Sequence, residues 1–225
     1  MPETSTLLRD FPNYTVRRAV VSEMANNVYL ITKKDTGAQI LIDAADDIAA
    51  INSLLLDGAA DAQVPATLTT IATTHQHWDH VRALADLVKA SGATTVSGVE
   101  DASGIQAGTG VAIDQTVVDG DELTAAGGSL RLSCIGLRGH TPGSIAYVLA
   151  DVGGATLIFS GDSLFPGGVG NTEGDPARFT SLLDDVQERL FDRYDDDAVV
   201  LPGHGAETTL GAERPSLGQW RERGW

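Results

Sequence analysis

The chain has 225 residues, 42% hydrophobic and 20% charged, a balance that predicts one globular domain covering residues 1–225. Its formal net charge of −16 argues against nucleic acid and anionic membranes as partners, because a surface of this sign repels phosphate groups. The single cysteine, Cys134, excludes an internal disulfide, and no secretion signal or long apolar run is evident, so we expect a cytoplasmic protein.

Two strands and a helix come first in the predicted element order. Residues 28–31 and 39–42 read as strands joined through a turn at 35–37. Apolar residues then recur at helical spacing, and Gly58 is predicted to end this helix: Ile48, Ile51, Leu54 and Leu55. Asp43 closes the second strand, where a role in supporting a site and a simple role in the turn are equally open.

A third strand, residues 68–74, leads into the segment Thr-Thr-His-Gln-His-Trp-Asp-His at 73–80. An amphipathic helix follows and ends at Gly92, which would place Asp79 at the helix N-terminus, where the helix dipole favours an anion. A strand at 94–97 completes a first half that we expect to run ββαβαβ. Residues 98–115 are rich in glycine, alanine and serine and predict an irregular connection at the rim of a pocket.

The second half is predicted to open with five strands, at 115–118, 122–125, 129–137, 144–149 and 155–160. A helix follows with Asp175 as its N-cap and Pro176 in its first turn, and a last strand spans 198–201. Strand groups followed by helices thus occur twice, which predicts an α/β fold of the four-layer αββα sandwich type. Residues 208–225 are expected to pack back onto this body.

All five histidines of the chain fall into three short motifs. Three lie in the segment at 73–80, and in an extended strand His75 and His77 point the same way, so both can reach one metal. The other two lie in glycine-rich turns after strands: His140 and His204. Imidazole and carboxylate ligands suit zinc, manganese and ferrous iron. Asp162, at the end of an apolar strand, is the carboxylate placed to hold two cations together.

The order of these motifs resembles that of the metallo-β-lactamase superfamily, whose fold is the αββα sandwich. The resemblance implies two metal ions per chain, zinc in the first instance with iron or manganese as alternatives. One ion would be held by His75, His77 and His140. The other would be held by Asp79, His80 and His204. Asp162 is implied as the bridging carboxylate, and Asp79 as the catalytic carboxylate that orients the attacking hydroxide.

Within the superfamily, the segments at 74–80 and 161–170 are most similar to glyoxalase II, a hydroxyacylglutathione thioesterase. This similarity implies a dinuclear zinc hydrolase in which a metal-bridged hydroxide attacks a thioester, or a similar carboxylic ester, of a small molecule. Three departures bear on glutathione. Residues 81–83 replace small glycines, Asn171 and Glu173 stand where glyoxalase II has a lysine and a tyrosine, and the chain ends 21 residues after His204 without a helical domain.

Several alternatives stay open. The substrate could be an ester of another thiol carrier, a lactone or a small phosphoester. A mononuclear iron persulfide dioxygenase shares the fold and ligands, but has Gly-Cys-Gly-Arg where this chain has Gly-Val-Gly-Asn at 168–171. A non-enzymatic metal scaffold is the third reading. A small-molecule substrate is the expected partner, and a homodimer is one of the possible states.

Overall fold

Two β-sheets lie face to face in the computed structural model, with helices on both outer surfaces. The model describes residues 5–152 and 154–224, so the ends of the predicted domain, 1–4 and 225, lie outside the described residues, as does residue 153. Buried side chains of the two sheets form the central core, in which Tyr29 meets Phe159 edge to face at 5.3 Å between ring centroids. The predicted αββα sandwich is confirmed.

The first sheet has seven strands in chain order. They are β1 (Thr6–Asp10), β2 (Tyr14–Val21), β3 (Asn26–Lys33), β4 (Ala38–Ile42), β5 (Thr67–Ala72), β6 (Thr94–Gly98) and β7 (Gln115–Val117). β1 to β4 pair antiparallel, whereas β4 to β7 pair parallel. Because the carboxyl ends of parallel strands meet at one edge of a sheet, the segments that follow β4, β5 and β6 gather there.

The second sheet has six strands in the order β15-β14-β11-β10-β9-β8. They are β8 (Glu122–Ala125), β9 (Leu130–Gly136), β10 (Ile145–Val152), β11 (Ala155–Gly161), β14 (Val199–Pro202) and β15 (Thr208–Thr209). A two-stranded hairpin of β12 (Leu164–Phe165) and β13 (Gly168–Val169) follows β11. The turn after β9 carries His140, the end of β11 carries Asp162, and the end of β14 carries His204, all at the edge where β5 ends.

Helices α1 (Ile48–Asp61), α2 (Leu84–Ser91) and α3 (Ala102–Thr109) cover the first sheet. Helices α4 (Pro176–Val186), α5 (Leu210–Glu213) and α6 (Leu217–Arg223) cover the second. The start of α4 is as predicted, since the Asp175 carboxylate accepts hydrogen bonds from the backbone N–H groups of Ala177 and Arg178. None of the described helices is long and apolar enough to cross a membrane.

Gly58 does not end α1, contrary to the sequence prediction, because the helix continues to Asp61. A Cβ at Gly58 would lie 2.5 Å from Leu30 Cδ2 and 2.8 Å from Thr32 Oγ1. Glycine is therefore required here for close packing of the helix against β3. In a single sequence, a glycine that ends a helix cannot be distinguished from a glycine that allows a helix to pack closely on a strand.

Three further predictions about the elements were wrong. The first half contains two additional strands, β1 and β2, and the connection predicted at 98–115 contains the helix α3. Residues 115–117 pair with β6 and so belong to the first sheet, not the second. α3 contains two glycines, a serine and a threonine, which are weak helix formers, and it has one buried residue, Ile105, so its sequence carries little helical signal.

The segment after His204 lies against the second sheet. β15 pairs with β14 through Thr209 and Val199. In α6 the Trp220 side chain is buried, and its ring stands edge to face against Phe191 at 6.5 Å between centroids. These contacts close the outer core on this side of the sandwich.

Candidate metal centre

The chain leaves β5 at Ala72 and forms no regular element until a single 3₁₀ turn at Trp78–His80. Val81 then leaves the helical conformation (φ −132°, ψ 5°), and α2 begins only at Leu84. The prediction that Asp79 lies at the N-terminus of this amphipathic helix was therefore wrong. The separate short turn points Asp79 and His80 towards the loop after β14, where His204 lies.

All seven predicted site residues meet at one edge of the sandwich. They form three overlapping groups whose donor atoms lie within 4.8 Å of one another: His75, His77 and His140; His75, His80 and Asp162; and Asp79, His80 and His204. We call the first the three-histidine group and the last the mixed group. The two turns predicted to bring His140 and His204 to the cluster both do so.

In the three-histidine group, His75 Nε2 lies 3.1 Å from His77 Nδ1, and the His140 ring lies 4.5 Å from the His77 ring between centroids. His140 Nδ1–H donates to the Asn171 carbonyl at 2.7 Å, so its Nε2 carries the free lone pair. The Thr74 hydroxyl donates to the Asp43 carboxylate and therefore accepts from His75 Nδ1–H at 3.0 Å. Both rings thus present Nε2 to the cluster.

In the mixed group, His204 Nε2 lies 3.2 Å from Asp79 Oδ2, and His80 Nε2 lies 3.5 Å from the same oxygen. His80 Nδ1–H donates to Asp43 at 2.8 Å, and His204 Nδ1–H donates to the Met24 carbonyl at 2.9 Å. These partners fix the tautomer and leave Nε2 facing the cluster, as is usual for histidines that bind metals.

Asp162 lies between the two groups. One of its oxygens, Oδ2, is 3.4 Å from His204 Nε2 and 3.8 Å from His140 Nε2, and Oδ1 is 3.4 Å from His80 Nε2. A Cβ at Gly203 would lie 2.3 Å from Asp162 Oδ1, so glycine is needed for the loop after β14 to approach this closely. The carboxylate therefore contacts both halves of the cluster.

The two groups differ in their electrostatics. Burial lowers the pKa of His75 and of His140, so both are neutral at ordinary pH. Burial also lowers the pKa of His80, but the Asp43 and Asp162 carboxylates outweigh it and raise the pKa to about 10. For His204, burial is likewise outweighed by Asp162 and Asp79, and the pKa rises to about 10. A dication would replace the positive charge that these two rings carry.

The acids of the cluster are shifted in the opposite direction. Burial alone would raise their pKa, but hydrogen bonds from His204 and Asn26 hold the pKa of Asp79 well below its usual range. The neighbouring imidazoles of His204 and His80 do the same for the pKa of Asp162. Both carboxyl groups are therefore ionised and available as anionic ligands.

Two buried atoms test whether these residues fit a metal. His140 Nε2 and Asp162 Oδ1 are both buried and have no hydrogen-bond partner among the described residues. A buried polar atom without a partner is destabilising, unless a ligand satisfies it. Both atoms face the other donors, and a set of imidazoles and carboxylates suits a divalent ion of the zinc, manganese or iron type. The cluster fits a metal site.

Asp43, which the sequence left undecided, supports the site. Its side chain is buried, its backbone is in the left-handed region (φ 59°), and its carboxylate accepts hydrogen bonds from the backbone and hydroxyl of Thr74 as well as from His80. Sequence reasoning missed Asn26, whose Nδ2 donates to Asp79 Oδ2 at 2.9 Å. Two consecutive asparagines at the start of a strand, Asn26 and Asn27, were the available signal, because strands are depleted in asparagine.

A cavity of about 700 Å³ opens beside the three-histidine group. His77 and His140 contribute to its wall, together with residues that are mostly polar or charged: Gln76, Arg138, Thr141, Glu173, Arg178 and Ser181. The Arg178 guanidinium donates to the carbonyls of Gly139 and His140 and pairs with Glu173 at 2.7 Å. The cavity gives a small molecule access to the cluster from this side.

Residues 21–204 match the family described as the Metallo-beta-lactamase superfamily. The chain belongs to this superfamily. It is 30% identical to the probable metallo-hydrolase YqgX of Bacillus subtilis (strain 168), over 88% of this chain and 93% of that protein. It is 31% identical to the hydroxyacylglutathione hydrolase of Jannaschia sp. (strain CCS1), over 72% of this chain but only 57% of that relative.

Among solved structures, the chain is similar to TTHA1623 in a di-iron-bound form, with 27% identity, a TM-score of 0.66 and coverage of 88% of this chain and 96% of that one. The predicted family resemblance is confirmed, including the likeness to hydroxyacylglutathione hydrolases. The superfamily and the names of these relatives support a metal-dependent hydrolase. The chain spans about half the length of several hydroxyacylglutathione hydrolase relatives.

Proposed function

We propose that this protein uses two metal ions, zinc in the first instance, to hydrolyse a thioester or a similar carboxylic ester of a small molecule. The observation that carries the proposal is the position of Asp162. Its carboxylate lies within 3.8 Å of ring nitrogens from both groups, and one of its oxygens is buried without a partner. A carboxylate shared by two cations is the arrangement that a two-metal hydrolase requires.

The donors divide between two ions in a simple way. Each ion would take three ligands of its own, His75, His77 and His140 for one and Asp79, His80 and His204 for the other. Asp162 would contact both. When bound, the ions would supply the positive charge that activates a water molecule and polarises the substrate carbonyl.

Asp79 is the proposed catalytic carboxylate. Asn26 donates to Asp79 Oδ2 at 2.9 Å, and this hydrogen bond fixes the orientation of the carboxylate within the mixed group. The depressed pKa of Asp79 keeps it ionised, so it can accept a hydrogen bond from the attacking water and orient it towards the substrate. Asn26 thereby acts on the water through Asp79.

The cavity supports a small polar substrate. Two arginines, Arg138 and Arg178, and an exposed carboxylate, Glu173, line it beside the three-histidine group. The net charge of −16 disfavours a nucleic acid substrate. The asparagine and glutamate at 171 and 173 do not offer the lysine and tyrosine by which glyoxalase II holds glutathione, so we propose a thioester or ester whose leaving group differs from glutathione.

The test combines metal analysis and turnover on one sample. Protein is purified from cells grown with zinc and with iron, its metal content is measured, and hydrolysis is assayed on a panel led by acyl thioesters, with lactones, esters and phosphodiesters. We expect two metals per chain and thioester hydrolysis that a chelator abolishes. Two metals without turnover on any substrate would point to the metal scaffold. One iron per chain with oxygen consumption would instead support the dioxygenase.

A further inference from the structure

Asp101 is a fully buried carboxylate outside the metal-binding motifs. It lies between β6 and α3, in the region where the sequence predicted an irregular connection, and no part of it is exposed to solvent. A buried carboxylate is unfavourable unless several hydrogen bonds satisfy it. Three donors from two other loops do so here, and both loops carry ligands of the three-histidine group.

The first loop is the segment that carries His75 and His77. Gln76, the residue between them, donates its backbone N–H to Asp101 Oδ2 at 2.9 Å. The Gln76 side chain lies over Gly104 in α3, where a Cβ would come within 1.7 Å of Gln76 Oε1. Backbone and side chain of Gln76 are thus both held by the start of α3.

The second loop is the turn that carries His140. Thr141 Oγ1 donates to Asp101 Oδ2 at 2.5 Å, and the Gly143 backbone N–H donates to Asp101 Oδ1 at 2.8 Å. A Cβ at Gly143 would lie 2.5 Å from the Asp101 backbone nitrogen, so the turn packs directly on the start of α3. The same carboxylate therefore binds the residue after His140 and the residue between His75 and His77.

The protons of this network can be assigned. The Thr141 hydroxyl uses its single hydrogen in the bond to Asp101 Oδ2. Ser144 Oγ, which is 2.6 Å from Thr141 Oγ1, must then donate to Thr141, and it accepts from the Thr141 backbone N–H at 3.2 Å. Each donor in this turn therefore has one acceptor, so a single pattern of hydrogen bonds fits the turn.

We propose that Asp101 is a positioning residue for the three-histidine group, because it fixes the distance between His140 and the pair His75 and His77. This role rests on the proposed metal site. A second hydrogen bond, from Ile145 N–H to the Thr74 carbonyl, also joins the two regions. It lies at the start of β10 and just after the end of β5, however, and does not involve the loop residues next to His77 or His140. The mixed group is supported directly by Asp43 and Asn26, and none of the hydrogen bonds found among the described residues joins it to Asp101.

The test measures zinc affinity at each half separately. In a His204→Ala background the three-histidine group is the intact half, and in a His140→Ala background the mixed group is the intact half. We expect Asp101→Asn to weaken zinc binding by about 10- to 100-fold in the first background and to leave the second unchanged within the error of the titration. Cobalt absorption spectra of the same proteins report the ligand geometry independently of activity.

A second pair of variants covers the case in which Asp101→Asn does not fold. Thr141→Val removes one donor to Asp101, whereas Thr141→Ser retains it. We expect valine to weaken zinc binding in the His204→Ala background and serine to restore it. The control is Asp114→Asn: Asp114 is exposed, but it also accepts from a backbone N–H and a hydroxyl, both of Thr95, at the opposite end of β6.

The outcomes separate this role from a general role in stability. Equal loss of zinc in both backgrounds, or equal effects of Asp101→Asn and Asp114→Asn, would overturn the proposal, as would Thr141→Val binding zinc like Thr141→Ser. Zinc is first titrated into the unmutated protein. If that protein bound no metal, the proposed function would fail. If it bound two and Asp101→Asn bound two with unchanged affinity, only the positioning role would fail.

Discussion

The two halves of the cluster differ in the charge of their ligands. The three-histidine group consists of neutral imidazoles, since burial lowers the pKa of His75 and of His140. The mixed group places Asp79 among two imidazoles whose pKa the surrounding carboxylates raise to about 10. Asp79 gives the mixed half an anionic ligand that the three-histidine group lacks, so we expect the mixed half to be the tighter of the two sites.

The halves also differ in what they face. His77 and His140 contribute to the wall of the cavity, whereas His80 is completely buried. A substrate in this cavity would contact the three-histidine half, whereas the mixed half contributes the anionic ligand Asp79 and the partly exposed ring of His204. This contrast assigns substrate contact to one proposed ion and anchoring to the other, and the following substitutions test it.

Replacing the shared residue should have the largest effect. Asp162→Ala removes the carboxylate that contacts both groups, and it leaves the charged imidazoles of His80 and His204 without one of their counter-charges. We expect zinc content to fall at both halves and hydrolysis to fall by more than about 100-fold, since even the loss of an outer partner of a ligand has effects approaching this size. Metal analysis and thioester turnover on the same sample measure this.

The circular dichroism spectrum and the unfolding midpoint of this variant provide the control. The αββα core lies between the sheets and under the helices, away from this carboxylate, so both should stay close to those of the unmutated protein measured without metal, since bound zinc itself raises the midpoint. Full turnover in Asp162→Ala would remove the bridging role altogether.

Removing one ligand from each half should separate the halves. We expect His204→Ala and His140→Ala each to bind one zinc, with the ion in His140→Ala held more tightly because its half retains Asp79 next to His80. Calorimetric titration of the two metal-free proteins gives both affinities. The reverse order, with the neutral half tighter, would show that ligand geometry outweighs charge in this cluster.

The ligands could be predicted from the sequence because their signal is local. His75, His77, Asp79 and His80 lie within six residues, and His140 and His204 each stand in a glycine-rich turn. The supports could not be predicted in the same way. Asp101 meets Gln76 across 25 positions and Gly143 across 42, and nothing in the sequence around it marks it as a partner of a metal site.

The fold shows the same division between local and long-range signal. The sandwich followed from apolar strands and from helices with clear caps, such as the Asp175 cap of α4. β2 was missed because two arginines, Arg17 and Arg18, interrupt the alternation of its apolar residues. Arg17 is compatible with the strand only because it pairs with Asp61 at 2.7 Å, a partner 44 positions away that no local pattern reveals.

Asp43 should matter more to the mixed half than to its neighbour. Asp43→Asn replaces the carboxylate that accepts His80 Nδ1–H at 2.8 Å, so His80 loses the partner that fixes its ring and raises its basicity. We expect a loss of about 10- to 100-fold in zinc affinity in the His140→Ala background, where only this half is intact. Asp114→Asn is again the control, and equal affinity in the two proteins would contradict the role of Asp43.

The smallest effect on activity should come from a substitution in the cavity wall, where an effect on substrate binding can be separated from an effect on zinc content. Arg178→Met keeps an unbranched apolar stem but removes the hydrogen bonds to the Gly139 and His140 carbonyls and the pairing with Glu173. The ring of His140 is still held by Asn171, so zinc content should not change. We expect KM to rise several-fold with little change in kcat, because the wall of the cavity loosens while the ligands stay in place.

Arg131→Met, which removes an exposed pair with Glu122 far from the cluster, should leave both constants unchanged. A fall in zinc content in Arg178→Met would show that this arginine supports the three-histidine half itself, and the division between a substrate side and a metal side would have to be redrawn.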